Sequence, residues 1–221
     1  MKNKAALFLL TSILCLLPML LSIAVYNELP QQIAIHWDSA GSPDTFVPKA
    51  AAAFGLPFLF LALNIYSKLR LYNDPARPDH AHSQAAMLLS AWMPPLLSLV
   101  LIPITLCIAM GASIPIPMLA SIFTGLVLVI CGNYLPKCRQ NYTIGIKLPW
   151  TLHDADNWNK THRMAGYLWI AGGIALIAGA FVSIDRMPWG IPMTVFVLIP
   201  LVILPAAYSF MLYKRNRRKK R

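Results

Sequence analysis

Apolar residues fall into six long runs, at residues 5–26, 50–71, 85–110, 114–135, 164–184 and 189–213. Each is close to the ~20 residues an α-helix needs to cross about 30 Å of hydrocarbon. None alternates apolar and polar positions as a barrel strand would, so each run predicts a membrane-spanning helix that satisfies its own backbone. The charges inside the runs are Lys68 and Arg70, close enough to one end to reach the interface on their flexible stems. Tyr26, Tyr72, Tyr134, Trp189 and Tyr213 stand near run boundaries, as an interfacial aromatic belt requires. Lys2 and Lys4 precede the first run as they would in a signal peptide. The run ends in Tyr26-Asn27-Glu28-Leu29 without a small-residue cleavage site, and is read as a retained helix.

Pro18, Pro57, Pro94, Pro95, Pro103, Pro192, Pro200 and Pro205 lie in or near the runs. They predict kinks whose freed carbonyls must be satisfied by neighbouring helices. Broken helices around a transport site are the alternative, but no ionisable group accompanies them at mid-span. Ala171, Ala175 and Gly179, with Gly172 and Gly173 beside them, form a small-residue stripe on the fifth helix that lets another helix come close. That helix belongs either to this chain or to a second copy in a homo-oligomer.

Composition removes the soluble classes. The 221 residues are 57% hydrophobic and 12% charged, about half the charge of an ordinary soluble domain. The net charge of +11 is then sorted by position. With the N-terminus cytoplasmic, the inner side holds 17 of the 19 basic residues, leaving Lys49 and Arg186 outside. This follows the positive-inside rule for an even number of spans and places both termini in the cytoplasm. Residues 214–221 are all basic except Asn216, and are expected to lie against anionic headgroups. The base-reading and stacking elements of direct nucleic-acid binding are not visible. Cys15, Cys107 and Cys131 fall in spans and Cys138 in an inner loop, a distribution that suggests neither disulfides nor a zinc site.

Two polar loops remain as candidates. In the outer one, Ile33, Ile35 and Trp37 alternate with Ala34, His36 and Asp38 in a short strand-like pattern. Asp38 to Asp44, with Gly41 and Pro43, is turn chemistry. His36, Asp38 and Asp44 have the residue types of a metal or acid–base cluster, although such aspartates more often cap turns. A compact, aromatic loop on the exposed side is better suited to recognising an external peptide or a lipid-associated ligand. In the inner loop, Thr151 followed by Asp154 predicts a capping box at the start of a helix. Along that helix Trp158 and His162 share a face, with Asn159 and Arg163 on the adjacent one. With Trp150 ahead of them they form an amphipathic segment at the cytoplasmic interface, feeding into the fifth span. His153, Asp154 and His162 are the acid–base or metal alternative, without an accompanying nucleophile or metalloprotease motif. Asp79-His80-Ala81-His82 is a weaker metal candidate.

The inner stretch Asn141-Tyr142-x-Ile144-Gly145-Ile146-Lys147-x-Pro149-Trp150-Thr151-Leu152, followed by Trp158-Asn159-Lys160-Thr161-His162-Arg163-x-Ala165-Gly166, resembles the signature of the SdpI family. Those are membrane immunity proteins against a sporulation-delay-type toxin peptide. The outer loop, with Leu29-Pro30, Ile35-His36-Trp37 and Gly41-x-Pro43-Asp44, resembles an uncharacterised N-terminal module often joined to it. Lys147 departs from the family's more frequent Arg, keeping the charge but losing a bidentate donor. The resemblance implies immunity to a membrane-active peptide, in some members linked to holding a cytoplasmic repressor protein at the membrane.

The expectation is therefore an all-α integral membrane protein of the bacterial inner membrane. It has six transmembrane helices, both termini cytoplasmic, a strand-like outer loop and an amphipathic inner-loop helix. Residues 1–72 hold the first two helices with outer loop 27–49, and 73–135 the third and fourth. Residues 136–221 hold the inner motif, the last two helices and the basic tail. Toxin binding is expected at His36, Trp37, Asp38 and Asp44. Asn141, Gly145, Lys147, Pro149, Trp150, Thr151, Trp158, Thr161, His162 and Arg163 form the inner motif. No catalytic residue, metal or cofactor is expected. A small transporter or channel, a membrane hydrolase or metalloenzyme, and a scaffold binding a cytoplasmic protein are the competing classes.

Overall fold

A computed structural model describes residues 2–74, 84–182 and 193–219. Asp79, His80 and His82, Asp185, Arg186, Trp189 and Pro192, and the last two residues of the basic tail lie outside that description. Six helices are long and apolar enough to cross a membrane: Ala5–Val25, Ala51–Tyr72, Ala86–Ala109, Ile116–Lys137, Ala155–Phe181 and Thr194–Arg218. Leu20, Phe181 and Val202 leave 65%, 68% and 67% of their surface exposed, as helices that face lipid do. The chain is a multi-pass membrane protein. Its fifth span starts nine residues earlier than the apolar run does, at Ala155 rather than Met164, because the amphipathic segment and the span are one continuous helix.

Two compact units divide the chain, Met1–Tyr72 with Leu88–Ile116, and Asn73–Met87 with Pro117–Arg221. In the first unit, α1 (Lys2–Leu16) and α2 (Pro18–Val25) are joined through Leu17, which keeps helical dihedrals. An antiparallel hairpin follows, β1 (Gln32–Trp37) and β2 (Pro43–Pro48). A π-helical turn, Ala51–Gly55, leads into α3 (Leu56–Tyr72), and α4 is Gln84–Ala109. In that turn the Leu56 N–H reaches back to Ala51 O, a widened register just ahead of Pro57, which has no amide to give. Ile33 and Leu29 are buried against Ala52, Ala53, Ile102 and Leu106, which docks the hairpin on the helices.

Serines and one asparagine tie these helices together. Asn64 Nδ2 donates to Thr11 Oγ1 (3.3 Å) and Ser12 Oγ (3.1 Å), linking α3 to α1. Ser98 Oγ donates to Cys15 O at 2.7 Å. The Ser67 hydroxyl lies 3.0 Å from Ser90 O, the carbonyl that Pro94 leaves without its helical donor.

The second unit contains α5 (Ile116–Tyr134), a 3₁₀ turn (Leu135–Lys137), α6 (Pro149–Leu152), α7 (Ala155–Phe181) and α8 (Met193–Lys219). The small-residue contact on the fifth span lies one face away from the expected stripe, since Ala171 and Ala175 are exposed. Gly166 and Gly173, two turns apart, face Gly132 and Gly125 of α5. A Cβ on Gly132 would sit 2.8 Å from Gly166 O, and one on Gly125 2.6 Å from Gly173 O. For the Gly166–Gly173 face the partner is a helix of this chain. Gly172 faces α8, where a Cβ would meet Leu201 at 2.8 Å. Trp169 Nε1 donates to Leu201 O at 3.1 Å, the carbonyl freed by Pro205.

Candidate functional site

The motif loop is built around the start of α7. Asp154 is its N-cap: Oδ1 accepts from the amides of Asp156 (3.0 Å) and Asn157 (3.1 Å), while Oδ2 accepts from Asn216 Nδ2 of α8 (2.9 Å). The expected capping box does not form. Asp154 has extended backbone and takes the cap itself, which leaves Thr151 in the preceding turn. There Thr151 Oγ1 accepts from the Leu148 amide (2.9 Å) and lies 2.8 Å from Ile146 O.

From Asp154 onward, positions 157, 158, 161, 162 and 165 share one buried face of α7. Asn157 is a hub. Its Nδ2 donates to Ser209 O (3.0 Å), and its Oδ1 accepts from Ser209 Oγ (2.8 Å) and Thr161 Oγ1 (3.0 Å). Trp158 Nε1 donates to Cys138 O at 2.9 Å, and the indole stacks on His162 with centroids 3.8 Å apart. His162 Nδ1–H donates to Trp158 O (2.8 Å), and Nε2 accepts the Ile146 amide (2.9 Å), so the ring is neutral with its proton on Nδ1. Gly145, at φ +123°, lies over these two rings. A Cβ there would collide with His162 Nε2 and come within 2.9 Å of the Trp158 indole.

Side chains also secure the loop's outer turns. Asn141 Oδ1 accepts from the amides of Thr143 (2.8 Å) and Ile144 (2.7 Å), and its Nδ2 donates to Arg139 O (2.7 Å). Asp74 Oδ2 accepts from the Tyr142 amide (2.9 Å) and Thr143 Oγ1 (2.6 Å). Gln140 Nε2 donates to Thr151 O at 2.6 Å. Trp150 packs on Phe210 and Tyr213 of α8, with centroids 5.3 and 5.9 Å away.

Asn141, Gly145, Thr151, Trp158, Thr161 and His162 are therefore brought into one knot. Pro149, Lys147 and Arg163 stay on its exposed surface, with Lys147 Nζ donating to Thr143 O at 3.2 Å. The members of the acid–base alternative are separately engaged: His153 Nδ1 with Pro149 O (2.6 Å), Asp154 in its cap, and His162 by both nitrogens. Asn157, Asp74, Gln140, Ser209 and Asn216 complete the knot and were not singled out from the sequence. Ser209, a serine in a largely apolar run five residues ahead of Lys214, was the visible signal for one of them.

The hairpin presents a different surface. His36 Nδ1 donates to Asp44 Oδ1 at 2.7 Å across the two strands, with both side chains largely exposed. That hydrogen bond is the main reason the Asp44 carboxyl is held below its ordinary range. Asp38 Oδ1 instead accepts the amides of Ala40 (2.8 Å) and Ser42 (2.9 Å), closing the turn. Trp37 lies opposite Pro43, half-buried. Among the described residues no three His, Cys, Asp or Glu side chains gather as metal ligands would.

Residues 137–209, which hold the motif loop, α7 and most of α8, match the SdpI/YfhL protein family. Residues 13–61, spanning the hairpin, match a domain of unknown function, DUF1648. A curated relative, "Immunity protein SdpI" of Bacillus subtilis (strain 168), is 30% identical over 207 residues, covering 94% of this chain and 96% of that protein. The chain belongs to the SdpI family. No solved structure matches it. The SdpI match begins at Lys137 and ends at Ser209, so it encloses the Asn157–Ser209 hub completely.

Proposed function

We propose that this protein protects a cell from a membrane-active peptide toxin, which it binds at the β1–β2 hairpin. The observation that carries the reading is the contrast between the two loops. His36, Trp37 and Asp44 stand on a docked but exposed hairpin, whereas the motif side chains are spent on holding α7, α8 and their own loop. The relative's name supports immunity as the activity. By the distribution of basic residues, both termini and the motif loop are cytoplasmic and the hairpin faces outward, towards an arriving toxin.

In this account the knot is a rigid support rather than a reacting centre. Lys147, Lys160 and Arg163 remain exposed on its surface and offer a basic face to a cytoplasmic repressor protein. Lys214 and Arg217 lie over the rings of Phe210 and Tyr213, at 4.7 and 5.8 Å, and continue into a tail that contacts anionic lipid. The test is survival of a sensitive host expressing this chain when challenged with sporulation-delay-type toxin peptides. Protection is expected. Killing at the control dose, with the chain confirmed in the membrane, would remove the immunity reading.

A further inference from the structure

The hairpin has two edges, and they are not equally protected. Lys49 N–H donates to Gln31 O at 3.0 Å, which makes residues 31 and 49 a hydrogen-bonded pair. Bonded and non-bonded pairs alternate along an antiparallel ladder. With Ile33 opposite Val47, and Gln32 and Ala34 opposite Pro48 and Phe46, the bonded pair is Ile33–Val47. The backbone N–H and C=O groups of Gln32 and Ala34 therefore point away from β2, towards the free edge of β1. On the other side, the outward positions are Phe46 and Pro48.

The free edge of β2 is defended. Pro48 has no amide to offer, Pro43 stands at the opposite end, and Lys49 follows directly. Proline and lysine are the residues that keep edge strands from pairing with a further strand. β1, from Gln32 to Trp37, carries neither. Its two outward donors and two outward acceptors are spaced for a third strand. The described residues contain no other strand to take that place.

We infer that the free edge of β1 is the toxin-binding element, and that an extended segment of the peptide pairs with Gln32 and Ala34 as a third strand. The inference rests on the immunity reading and adds how the toxin is held. The backbone supplies affinity by strand addition, and neighbouring side chains choose the partner. Ala34 lies opposite Phe46, which is 53% exposed, so an apolar side chain on the incoming strand would sit beside both. Within residues 27–49 the charges are Glu28, Asp38 and Asp44 against Lys49, locally acidic in a chain of net +11. Lys49 is folded back, bonding Tyr26 O at 3.4 Å with its ammonium 4.5 Å from the Tyr26 ring centroid. The preferred occupant is thus an extended peptide segment with alternating apolar residues and a basic flank.

The test uses the full chain in lipid nanodiscs and a synthetic sporulation-delay-type toxin peptide, with amide hydrogen exchange read residue by residue. Saturating peptide is expected to slow the Gln32 and Ala34 amides about tenfold or more, while Ile33, already bonded to Val47, changes little. Ala34→Pro should weaken binding by a similar factor, with Ile33 protection confirming that the hairpin still forms. Rising salt should weaken binding further, as a basic flank on an acidic loop requires. Peptide that binds without slowing Ala34 would overturn the strand-addition inference and leave the immunity reading standing. If the peptide does not bind at all while cells expressing the chain still survive it, capture at β1 is wrong and protection has another route. Failure of both binding and survival removes the immunity reading itself.

Discussion

Gly145→Ala is the sharpest probe of the motif knot. Gly145 has φ +123°, a region that an L-residue occupies at a cost of about 1–3 kcal/mol. Its new methyl would collide with His162 Nε2 and lie within 3.0 Å of two Trp158 ring atoms, all in a buried stack. Overpacking of that kind costs about 1–3 kcal/mol more. Moving His162 aside also strands the Ile146 amide, worth roughly 1 kcal/mol. The expected loss is about 3–7 kcal/mol, or a fall in Tm of roughly 6 °C or more on the scale of soluble chains of this size. Purified protein heated with a thiol-reactive dye reports it, since Cys138 is 2% exposed and its carbonyl is held by Trp158. Adding His162→Ala to Gly145→Ala removes the main collision. The two substitutions should then be less than additive by about 1 kcal/mol or more. A Tm within about 2 °C of the parent for Gly145→Ala would refute the packing argument.

The other predictions concern separate parts of the fold. Asn157→Leu should destabilise α7 against α8 by about 2–4 kcal/mol, because it strands buried groups of Ser209 and Thr161. Adding Ser209→Ala should recover part of that loss in a double-mutant thermal cycle. Gly125→Leu should separate α5 from α7, where a Cβ already meets Gly173 O at 2.6 Å, and lower the yield of folded protein in detergent. The His36–Asp44 bond lowers the folded pKa of Asp44, so its contribution is full above the ordinary carboxylate value. It is lost as pH falls through the lowered one. Protection of the hairpin amides, relative to their intrinsic exchange rate at each pH, should fall over that acid range, and Asp44→Asn should abolish the dependence.

Much of the fold was legible because lipid demands long uninterrupted apolar runs, and their ends fall within a few residues of the observed helices. The start of the fifth span was not. Residues 155–163 are too polar to read as membrane helix, yet Asp154 caps them and their apolar face continues into the span. The hairpin was visible as alternation around Ile33 and Ile35. Its register, and with it the unequal edges, depends on bulges that no local pattern announces. In the motif, Trp158 and His162 were placed on one face by their spacing. Asn157 and Ser209 were missed because their partnership crosses 52 residues and looks, in sequence, like two unrelated polar positions. The glycine contact was misplaced by one face: four-residue steps were expected, and the antiparallel α5–α7 crossing uses seven-residue steps on both helices.

The most direct test of the division of labour is toxin survival for two altered chains held at equal membrane abundance. His36→Ala with Trp37→Ala removes side chains that the knot does not use, and Lys147→Ala with Arg163→Ala removes exposed charges of the motif loop. The account predicts that the hairpin variant loses protection with its Tm nearly unchanged, while the motif-surface variant keeps survival under acute challenge. Full protection by the hairpin variant would contradict it.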